Sequence, residues 1–480
     1  MTEAMPFLQK YDITFLRPPT IWAGTLFGKL MNEIHSEKEK NMRKNFDIIH
    51  GNPRQCLFAM VLPMMAAMFL NMAYNLVDSL WIGNLLGESA YAALTAATPI
   101  LLLLNSIAMG ATNGVAILLS QAIGAGETRR TRTILFTSFI LSIVFSLGMT
   151  GLLEGMVSPL LRFLQVPSEL YEMTCLYLRI YLIGYGAVYL YCYFAAVLRS
   201  FGDTVFQMLA MLVCTVLNGA LDPLLIHGFG LQGAAAATVL SQGICLGFMV
   251  CYLRKKALFS FHAADWSGKE LGTICLKSLP AAFQQSIPAI STSVLTAIVS
   301  GFGVTALAAY GVAGKLELLL FYPAMSFQMV LTTIVGQCIG AGRRDRAWVY
   351  CKTALLWGGG LLIILSCGVV GLAHPLSELF VDSKAVAEVV AGYFQVVSVG
   401  YLFNMETNCF LGAVNGMGHP GRSMLCMVLY YLIIRIPLAC LLSSAGLNGI
   451  WAAVLCSHVA AVVTACLLAR GLASRKKSPI

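Results

Sequence analysis

The chain has 480 residues, of which 58% are hydrophobic and 11% are charged, with a formal net charge of +9 and a mean hydropathy of +0.78. A soluble domain carries about 25% charged residues, so this composition excludes a soluble protein and indicates an integral membrane protein. The positive charge does not indicate nucleic-acid binding, because the sequence contains no basic soluble domain.

The leader, residues 1–53, fits neither a membrane span nor a signal peptide. Its most apolar stretch, from Phe7 to Leu30, is interrupted by four charged residues and two prolines. We expect either a disordered cytoplasmic leader or a true start at Met42.

Twelve apolar runs follow the leader, and each can cross a hydrocarbon core of about 30 Å as an α-helix with a rise of about 1.5 Å per residue. The predicted spans lie at about 56–82, 92–119, 133–157, 172–197, 205–227, 231–253, 275–300, 306–336, 348–372, 386–413, 424–443 and 447–469. The predicted fold class is therefore an all-α integral membrane protein with twelve transmembrane helices.

The second half of the chain repeats the first at a constant offset: Gln121 to Gly126 recurs as Gln337 to Gly342, and arginines follow each copy. We call the distance along the chain from Gln121 to Gln337 the repeat offset. Six spans per copy is an even number, so both copies enter the membrane from the same side. They then form two six-helix lobes related by a pseudo-twofold axis along the membrane normal, with a substrate cleft between them. The predicted organisation is an amino-terminal lobe at 54–256, a cytoplasmic linker at 257–274, a carboxyl-terminal lobe at 275–471 and a basic cytoplasmic tail at 472–480.

Basic residues are concentrated on one face of the predicted bundle. If the amino terminus is inside, fifteen of them lie in the cytoplasmic connections and the tail, whereas Arg162 and Lys384 alone lie on the opposite face. The positive-inside rule therefore places both termini of this multi-pass protein in the cytoplasm, and we expect it in the plasma membrane.

Ionisable residues within spans indicate function, because each is costly there. In the first span, Asn71, Asn75 and Asp78 are spaced i, i+4 and i+7. The helical period places them along one stripe.

The fifth span carries a comparable stripe of Thr215, Asn218 and Asp222. Asp222 and Asp78 both lie about 8 Å below the outer boundary by the helical rise, so they make a plausible single site. Such a pair could exchange a proton, because burial and a like-charged neighbour disfavour two ionised carboxyls. It could also hold a monovalent cation, with Thr238 of the sixth span as a further oxygen. Alternatively, each acid only caps a broken helix or bonds a neighbouring polar group.

The second lobe lacks both acids, since the repeat offset places Val294 opposite Asp78 and Leu438 opposite Asp222. The fold therefore forms without the acids in the other half, which favours a functional role for the pair. The fifteen cysteines include no CxxC pair and no cluster with histidine, so we read them as small buried hydrophobes and expect no metal site and no cofactor.

Six motifs occur in order along the chain: Leu62-Pro63, Tyr74 to Asp78 with Ile82-Gly83, Gln121 to Gly126, Leu198 to Thr204, Asn218 to Pro223, and Gly233 to Thr238. Together they resemble the multidrug and toxic compound extrusion (MATE) family, in its bacterial DinF-like branch. The resemblance extends from about Gly51 to Ala469.

The resemblance implies a secondary antiporter that exports organic, often cationic or amphiphilic, compounds in exchange for protons or sodium by alternating access. Its ion-coupling positions match Asp78, Asn218, Asp222 and Thr238. Supporting positions would be Asn71, Asn75, Thr215 and Pro63, where a proline weakens the first helix. The expected partners are small organic molecules and the lipid bilayer, with no nucleic acid and no obligate protein partner.

Some branches of the family carry acids in the seventh and tenth spans of the carboxyl lobe. Here the seventh span has Gln284 and Gln285 instead of an acid, and the tenth span has Glu406. We expect Glu406 to pair with Lys315 or Arg435, because buried charges need partners. The candidates for the cleft lining are Asn105, Gln284, Gln285, Tyr310, Met325 and Glu406.

Other functional classes fit less well. A primary pump would need a P-loop, and Gly314-Lys315 lacks the upstream glycine of that motif. A membrane-embedded enzyme would need a nucleophile and base or a ligand cluster, which the spans do not offer. The main alternative is a lipid-linked precursor flippase of the same superfamily, for which we would expect more basic residues in the cleft. A channel is also conceivable, but the acid pair and the two-lobe repeat favour alternating access.

Overall fold

The structure, a computed structural model, describes residues 47–164, 166–256, 258, 265–378, 380–381 and 383–474. Most of the predicted leader and residues 475–480 of the predicted tail lie outside the described residues. The amino lobe consists of α1 (Pro53–Leu86), α2 (Glu88–Gly124), α3 (Thr128–Phe163), α4 (Ser168–Ile183), α5 (Tyr185–Ser200), α6 (Thr204–Phe229) and α7 (Leu231–Lys255). The carboxyl lobe consists of α8 (Gly268–Ser300), α9 (Val304–Gly340), α10 (Arg344–Gly371), α11 (Ala373–Glu378), α12 (Lys384–Gly416), α13 (Pro420–Met427), a π-helical segment (Val428–Arg435), α14 (Ile436–Leu442), a 3-10 turn (Ser443–Ala445) and α15 (Leu447–Ser474).

Ten helical segments of the described chain are long and apolar enough to cross a membrane, and α4 with α5 makes an eleventh as a bent pair. α8 is the remaining long helix, with 33 residues, and Gln284 and Gln285 lower its hydropathy. With α8, the number of long segments agrees with the twelve predicted spans. The all-α membrane fold is therefore confirmed, and α8 begins at Gly268, within the segment assigned from sequence to the linker.

Two spans are irregular. The fourth bends by 49° between α4 and α5, where a Cβ on Gly184 would lie 2.2 Å from the methyl carbons of Val239 on α7. The eleventh is π-helical over Val428–Arg435. Pro437, at the start of α14, has no N–H and so interrupts the helical hydrogen bonds there.

The internal repeat is present in the backbone. Glycines with positive φ, a conformation that other residues disfavour, occur in four pairs. The two members of each pair are separated by the repeat offset: Gly87 and Gly303, Gly126 and Gly342, Gly202 and Gly418, and Gly230 and Gly446. The two lobes therefore reverse the chain at equivalent places.

The repeated glutamines join the two lobes at the predicted cytoplasmic end. Gln121 Nε2 donates to the carbonyl oxygen of Gly416 at 2.8 Å, and Gln337 Nε2 donates to the carbonyl oxygen of Ser200 at 2.8 Å. The two donors are separated by the repeat offset, and so are the two acceptors. The two hydrogen bonds are therefore equivalent by the repeat.

Two glycines allow α2 and α9 to cross closely at this point. A Cβ on Gly124 would lie 2.0 Å from the carbonyl oxygen of Gln337, and a Cβ on Gly340 would lie 2.0 Å from that of Gln121. Any side chain at either position would push the helices apart. The repeated motif is thus a contact between lobes, and we call Gln121, Gly124, Gln337 and Gly340 the latch.

The arginines after each motif extend the latch. Arg130 Nε donates to Glu270 Oε1 on α8 at 3.0 Å, and Arg346 Nε donates to the carbonyl oxygen of Ile48, just before α1, at 2.7 Å. Each lobe thus holds the beginning of the other lobe's first helix.

α1 is shared between the lobes. Its first half, including Leu57 and Met60, is buried in the core of the carboxyl lobe. Its second half packs in the amino lobe, where Tyr74 and Ile82 are buried. The lobes are therefore joined along the first half of α1, whereas Asp78 lies on the second half.

Candidate ion-binding site

The structure brings the two intramembrane acids together in the amino lobe. Asp78 on α1 is 8% exposed and Asp222 on α6 is 0% exposed. The two helices pack against each other, so the two carboxyls would repel each other if both were ionised. Asp78 lies eight residues before the end of α1 and Asp222 seven before the end of α6, so the side chains lie at a similar depth.

Asn218 orients one of the acids. It is fully buried, and its Nδ2 donates to Asp222 Oδ1 at 3.0 Å. The separation of four residues places both side chains on one face of α6. One carboxylate oxygen of Asp222 is thereby fixed, and the other stays free to bind.

Four buried polar atoms around the acids have no hydrogen-bond partner in the described part of the chain. They are Tyr74 Oη, Asp78 Oδ1, Asn218 Oδ1 and Asp222 Oδ2. An unpartnered buried polar atom costs about 1–3 kcal/mol and is uncommon in a folded protein. These four atoms therefore offer oxygens to a proton or cation bound between α1 and α6.

Two neighbouring elements add oxygens to this region. Pro223 lies inside α6 and has no N–H, so the carbonyl of Gly219 is released from the helical ladder. Thr238 is buried on α7, which packs against α6. The surroundings of the acids are therefore rich in oxygen, the ligand atom of hard cations.

Asn71 and Asn75 share the face of α1 that carries Asp78, but they do not hydrogen-bond to it. Asn75 Nδ2 donates to the carbonyl oxygen of Asn71 at 2.7 Å, and both side chains are exposed. Leu80, which is 53% exposed, lies about 180° around the helix from Asn71 at 3.6 residues per turn. The two amides therefore lie on the opposite side of α1 from the exposed apolar side chain of Leu80.

Thr215 and Pro63 shape α1 and its contact with α6. Thr215 Oγ1 lies 2.9 Å from the carbonyl oxygen of Met211 on its own helix and 3.3 Å from that of Leu70 on α1, so its hydroxyl is shared between the two helices about two turns from Asp222. Pro63 lies inside α1, and the helix continues through it from Pro53 to Leu86. The site thus depends on a helix that lacks one of its own hydrogen bonds.

The candidate cleft residues are divided between the lobes. Asn105 Oδ1 accepts a hydrogen bond from Tyr181 Oη at 3.4 Å within the amino lobe. Gln284 is 1% exposed, and its Oε1 accepts from Asn415 Nδ2 at 3.2 Å within the carboxyl lobe. Both polar groups are thus engaged by their own lobes.

The remaining candidates on α8 and α9 differ in exposure. Tyr310 is stacked on Trp451, with ring centroids 5.9 Å apart. Gln285 and Met325 are partly exposed. Their contact with a substrate stays a prediction.

The predicted pairing of Glu406 with Lys315 or Arg435 is wrong. α12 turns Glu406 toward α10 and α15, where it lines a cavity of about 390 Å³ that Arg470 also lines. Lys315 Nζ instead lies 5.3 Å from the ring centroid of Phe380. Arg435 donates to a tyrosine and a serine.

The carboxyl lobe contains a second polar cluster that the sequence does not predict. Glu317 on α9 accepts hydrogen bonds from the hydroxyls of Tyr393 and Tyr401 on α12. Arg435 Nη2 donates to Tyr430 Oη at 2.7 Å. Glu317 and Arg435 are conspicuous as charges within spans, but tyrosines are too common in membrane helices to mark the cluster.

The amino-lobe arrangement suits a proton or one small monovalent cation. Asp78 and Asp222 supply the negative charge, Asn218 adds an amide oxygen, and Thr238 lies on the helix packed against α6. The described residues contain no group of three or more His, Cys, Asp or Glu side chains able to hold a metal ion.

Comparison with known proteins agrees with the two-lobe architecture. The family model MatE matches residues 63–224 and 280–441, one match in each lobe. The probable multidrug resistance protein YpnP of Bacillus subtilis (strain 168) is 26% identical over 411 residues, which cover 85% of this chain and 92% of the relative. The FAD transporter of Shewanella oneidensis is 27% identical over 418 residues, which cover 83% of this chain and 90% of the relative.

Solved structures share the fold. One described as the outward-facing conformation of a multidrug resistance MATE family transporter of the MOP superfamily matches with a TM-score of 0.85. The match covers 90% of this chain and 98% of that chain at 22% identity. The paired family matches span most of both lobes, and the chain therefore belongs to the multidrug and toxic compound extrusion (MATE) family.

Proposed function

We propose that the protein is a secondary active antiporter that exports organic compounds across the plasma membrane in exchange for protons or sodium, with both termini in the cytoplasm. The observation that carries this proposal is the set of unpartnered oxygens around Asp78 and Asp222 in the amino lobe. The carboxyl lobe has Val294 and Leu438 at the equivalent positions. An ion bound there would satisfy atoms that the folded chain leaves unpaired.

The position of the acids supports coupling between ion and substrate. Asp78 is carried by α1, whose first half is packed in the opposite lobe. Because the second half of α1 packs in the amino lobe, we infer that a rearrangement of the lobes bends or shifts α1 and so changes the position of Asp78 relative to Asp222. An ion that binds one arrangement more tightly shifts the population toward it, and coupled exchange requires such differential affinity.

The latch supports alternating access. In this structure the lobes are joined at the predicted cytoplasmic end by equivalent hydrogen bonds from Gln121 and Gln337. A substrate that enters the cleft from the cytoplasm requires this contact to open. We therefore interpret the observed arrangement as closed at the predicted cytoplasmic end.

Cationic or amphiphilic molecules are the substrates that we propose. Relatives are described as multidrug resistance proteins, and one is described as an FAD transporter. A substrate panel should therefore contain organic cations together with an anionic flavin nucleotide. Transport of the organic cations would indicate a broad exporter, whereas transport of the flavin nucleotide alone would indicate an exporter restricted to nucleotides.

The proposal is tested with the full chain reconstituted in liposomes. A pH gradient and a sodium gradient are imposed separately, and accumulation of each substrate is measured against liposomes without protein. We expect one gradient to drive accumulation and an ionophore that collapses it to abolish the effect. Transport that is indifferent to both gradients would exclude an ion-coupled antiporter.

A further inference from the structure

A cavity of about 290 Å³ lies at the end of the amino lobe opposite the latch. Its lining includes Leu86 of α1, Ser89 of α2, Met173 of α4 and Leu231 of α7. Ser89 and Met173 are exposed, so the cavity is open at this end. A water molecule in the liquid occupies about 30 Å³, and the cavity therefore has room for several.

The cavity lies beyond the two acids along the same helices. On α1 and on α6, an isoleucine follows the acid after four residues, and a cavity residue follows after eight. The two series are Asp78, Ile82 and Leu86 on α1, and Asp222, Ile226 and Gly230 on α6 and its cap. On α7, Leu231 and Thr238 are seven residues apart and so share one face. By the helical rise of about 1.5 Å per residue, the cavity begins about 12 Å from the acids.

A layer of apolar side chains separates the cavity from the acids. Ile82 is 0% exposed and Ile226 is 2% exposed, and both belong to one buried core cluster with Tyr177 and Leu231. Each isoleucine lies about one helical turn from an acid and one turn from the cavity. We call Ile82 and Ile226 the isoleucine layer. A hydrophobic constriction of this kind excludes water and ions until it widens.

Charged residues at this end of the amino lobe favour a cation. Glu88 and Glu172 each precede a residue that lines the cavity, and Glu169 lies about one turn before Glu172; all three are exposed. The basic groups of the described chain at this end are Arg162 and His227, in the last turns of α3 and α6. The acids thus outnumber the basic groups, and a negative surface raises the local concentration of cations.

We propose that this cavity is a vestibule from which the coupling ion, a proton or a small hydrated cation, reaches the acids without entering the substrate cleft. The inference rests on the proposed function and adds a route for the ion that is separate from the route of the substrate. The isoleucine layer lies on α1 and α6, so a shift of α1 relative to α6 opens or closes it. Ion and substrate then do not compete for the same space.

The first experiment measures how quickly Asp222 of the purified full chain reacts with a water-soluble carbodiimide and a small amine, and mass spectrometry quantifies the labelled peptide. Ser89→Trp places a large side chain in the cavity from an exposed position, so labelling should slow severalfold. Ile226→Ala removes part of the isoleucine layer, so labelling should become severalfold faster. The matched control is Thr305→Trp, because the repeat offset places the exposed Thr305 opposite Ser89, and its labelling rate should equal that of the wild type.

Equal labelling rates in Ser89→Trp and the wild type would overturn the proposal, because the reagent would then reach Asp222 by another route. A slowing of the same size in Thr305→Trp would also overturn it, since a bulky side chain at the end of either lobe would then have the same effect.

The second experiment measures transport in liposomes that contain the full chain. Ser89→Trp should lower gradient-driven accumulation of an organic cation severalfold, whereas exchange of labelled substrate at equal concentrations should stay at the wild-type rate. A loss of exchange as large as the loss of accumulation would place Ser89 on the substrate route and overturn the proposal. If the wild type shows no gradient-driven transport, the proposed function fails, while the labelling experiment still tests whether the cavity leads to Asp222.

Discussion

At the scale of single residues, the amino-lobe site consists of a carboxylate held by an amide. The hydrogen bond from Asn218 to Asp222 fixes one carboxylate oxygen, and the other oxygen has no partner among the described residues. The duplicated lobe has Ile434 at the position of Asn218. The other lobe therefore carries an apolar side chain of similar size at this position, within its π-helical segment.

We expect Asn218→Ile to reduce gradient-driven transport by about tenfold to a hundredfold, because the loss of a buried hydrogen bond to a charged group costs about 1.5–3 kcal/mol and about 1.4 kcal/mol is tenfold. Initial rates under the driving gradient measure the effect. The matched control is Asn408→Ile, which removes a buried amide that bonds to Asn404 in the other lobe. Equal transport losses in the two variants would show a general effect on folding instead.

The sequence predicts the acids of this site but not all of its atoms. Asp78 and Asp222 are conspicuous because ionised groups are costly within apolar spans. Tyr74 is not conspicuous in the sequence, because a tyrosine is common in an apolar span and its burial depends on neighbouring helices. The partners of Arg435 also depend on the π-helical turns before it, which shift the helical register.

At the scale of helices, the latch gives the repeated motif a physical role. Gln121 and Gln337 donate equivalent hydrogen bonds across the lobes. Each bond contributes about 1 kcal/mol, which changes an equilibrium about fivefold. Opening of the latch should therefore depend equally on both glutamines.

Gln121→Ala and Gln337→Ala should each increase the open population about fivefold, and the double variant more than either. Hydrogen exchange of the ends of α2 and α9 near the latch measures this opening. Gln232→Ala, an exposed glutamine at the other end of the amino lobe, serves as the control. Faster exchange in one variant alone would contradict a symmetric latch.

The helices themselves follow from hydropathy, whereas their irregularities do not. Apolar runs place the spans because their length matches the hydrocarbon core. The bend at Gly184 depends on the approach of Val239 from α7, which is a tertiary contact. Hydropathy places the end of the predicted linker at residue 274. The polar residues from Gly268 onward are nevertheless helical and form the first turns of α8.

At the scale of the whole molecule, a symmetric framework carries asymmetric chemistry. The paired glycines and the latch follow the internal repeat. The acids of the amino lobe do not, and neither do the charges of Glu317 and Arg435 in the carboxyl lobe. The repeat predicts the two lobes and their mutual orientation, because a duplicated fold packs its copies in equivalent ways. It does not predict which lobe binds an ion, since that depends on the residues that the copies do not share.

The most direct measurement of the central claim is the transport of an organic cation by Asp222→Asn in liposomes. Labelled substrate exchanged at equal concentrations should still equilibrate, because the cleft and the latch are intact. Accumulation driven by the coupling gradient should fall to the level seen when that gradient is collapsed. Asp345→Asn, which alters an exposed acid at the start of α10, should match the wild type in both assays. Full gradient-driven accumulation by Asp222→Asn would contradict the assignment of ion coupling to the amino lobe.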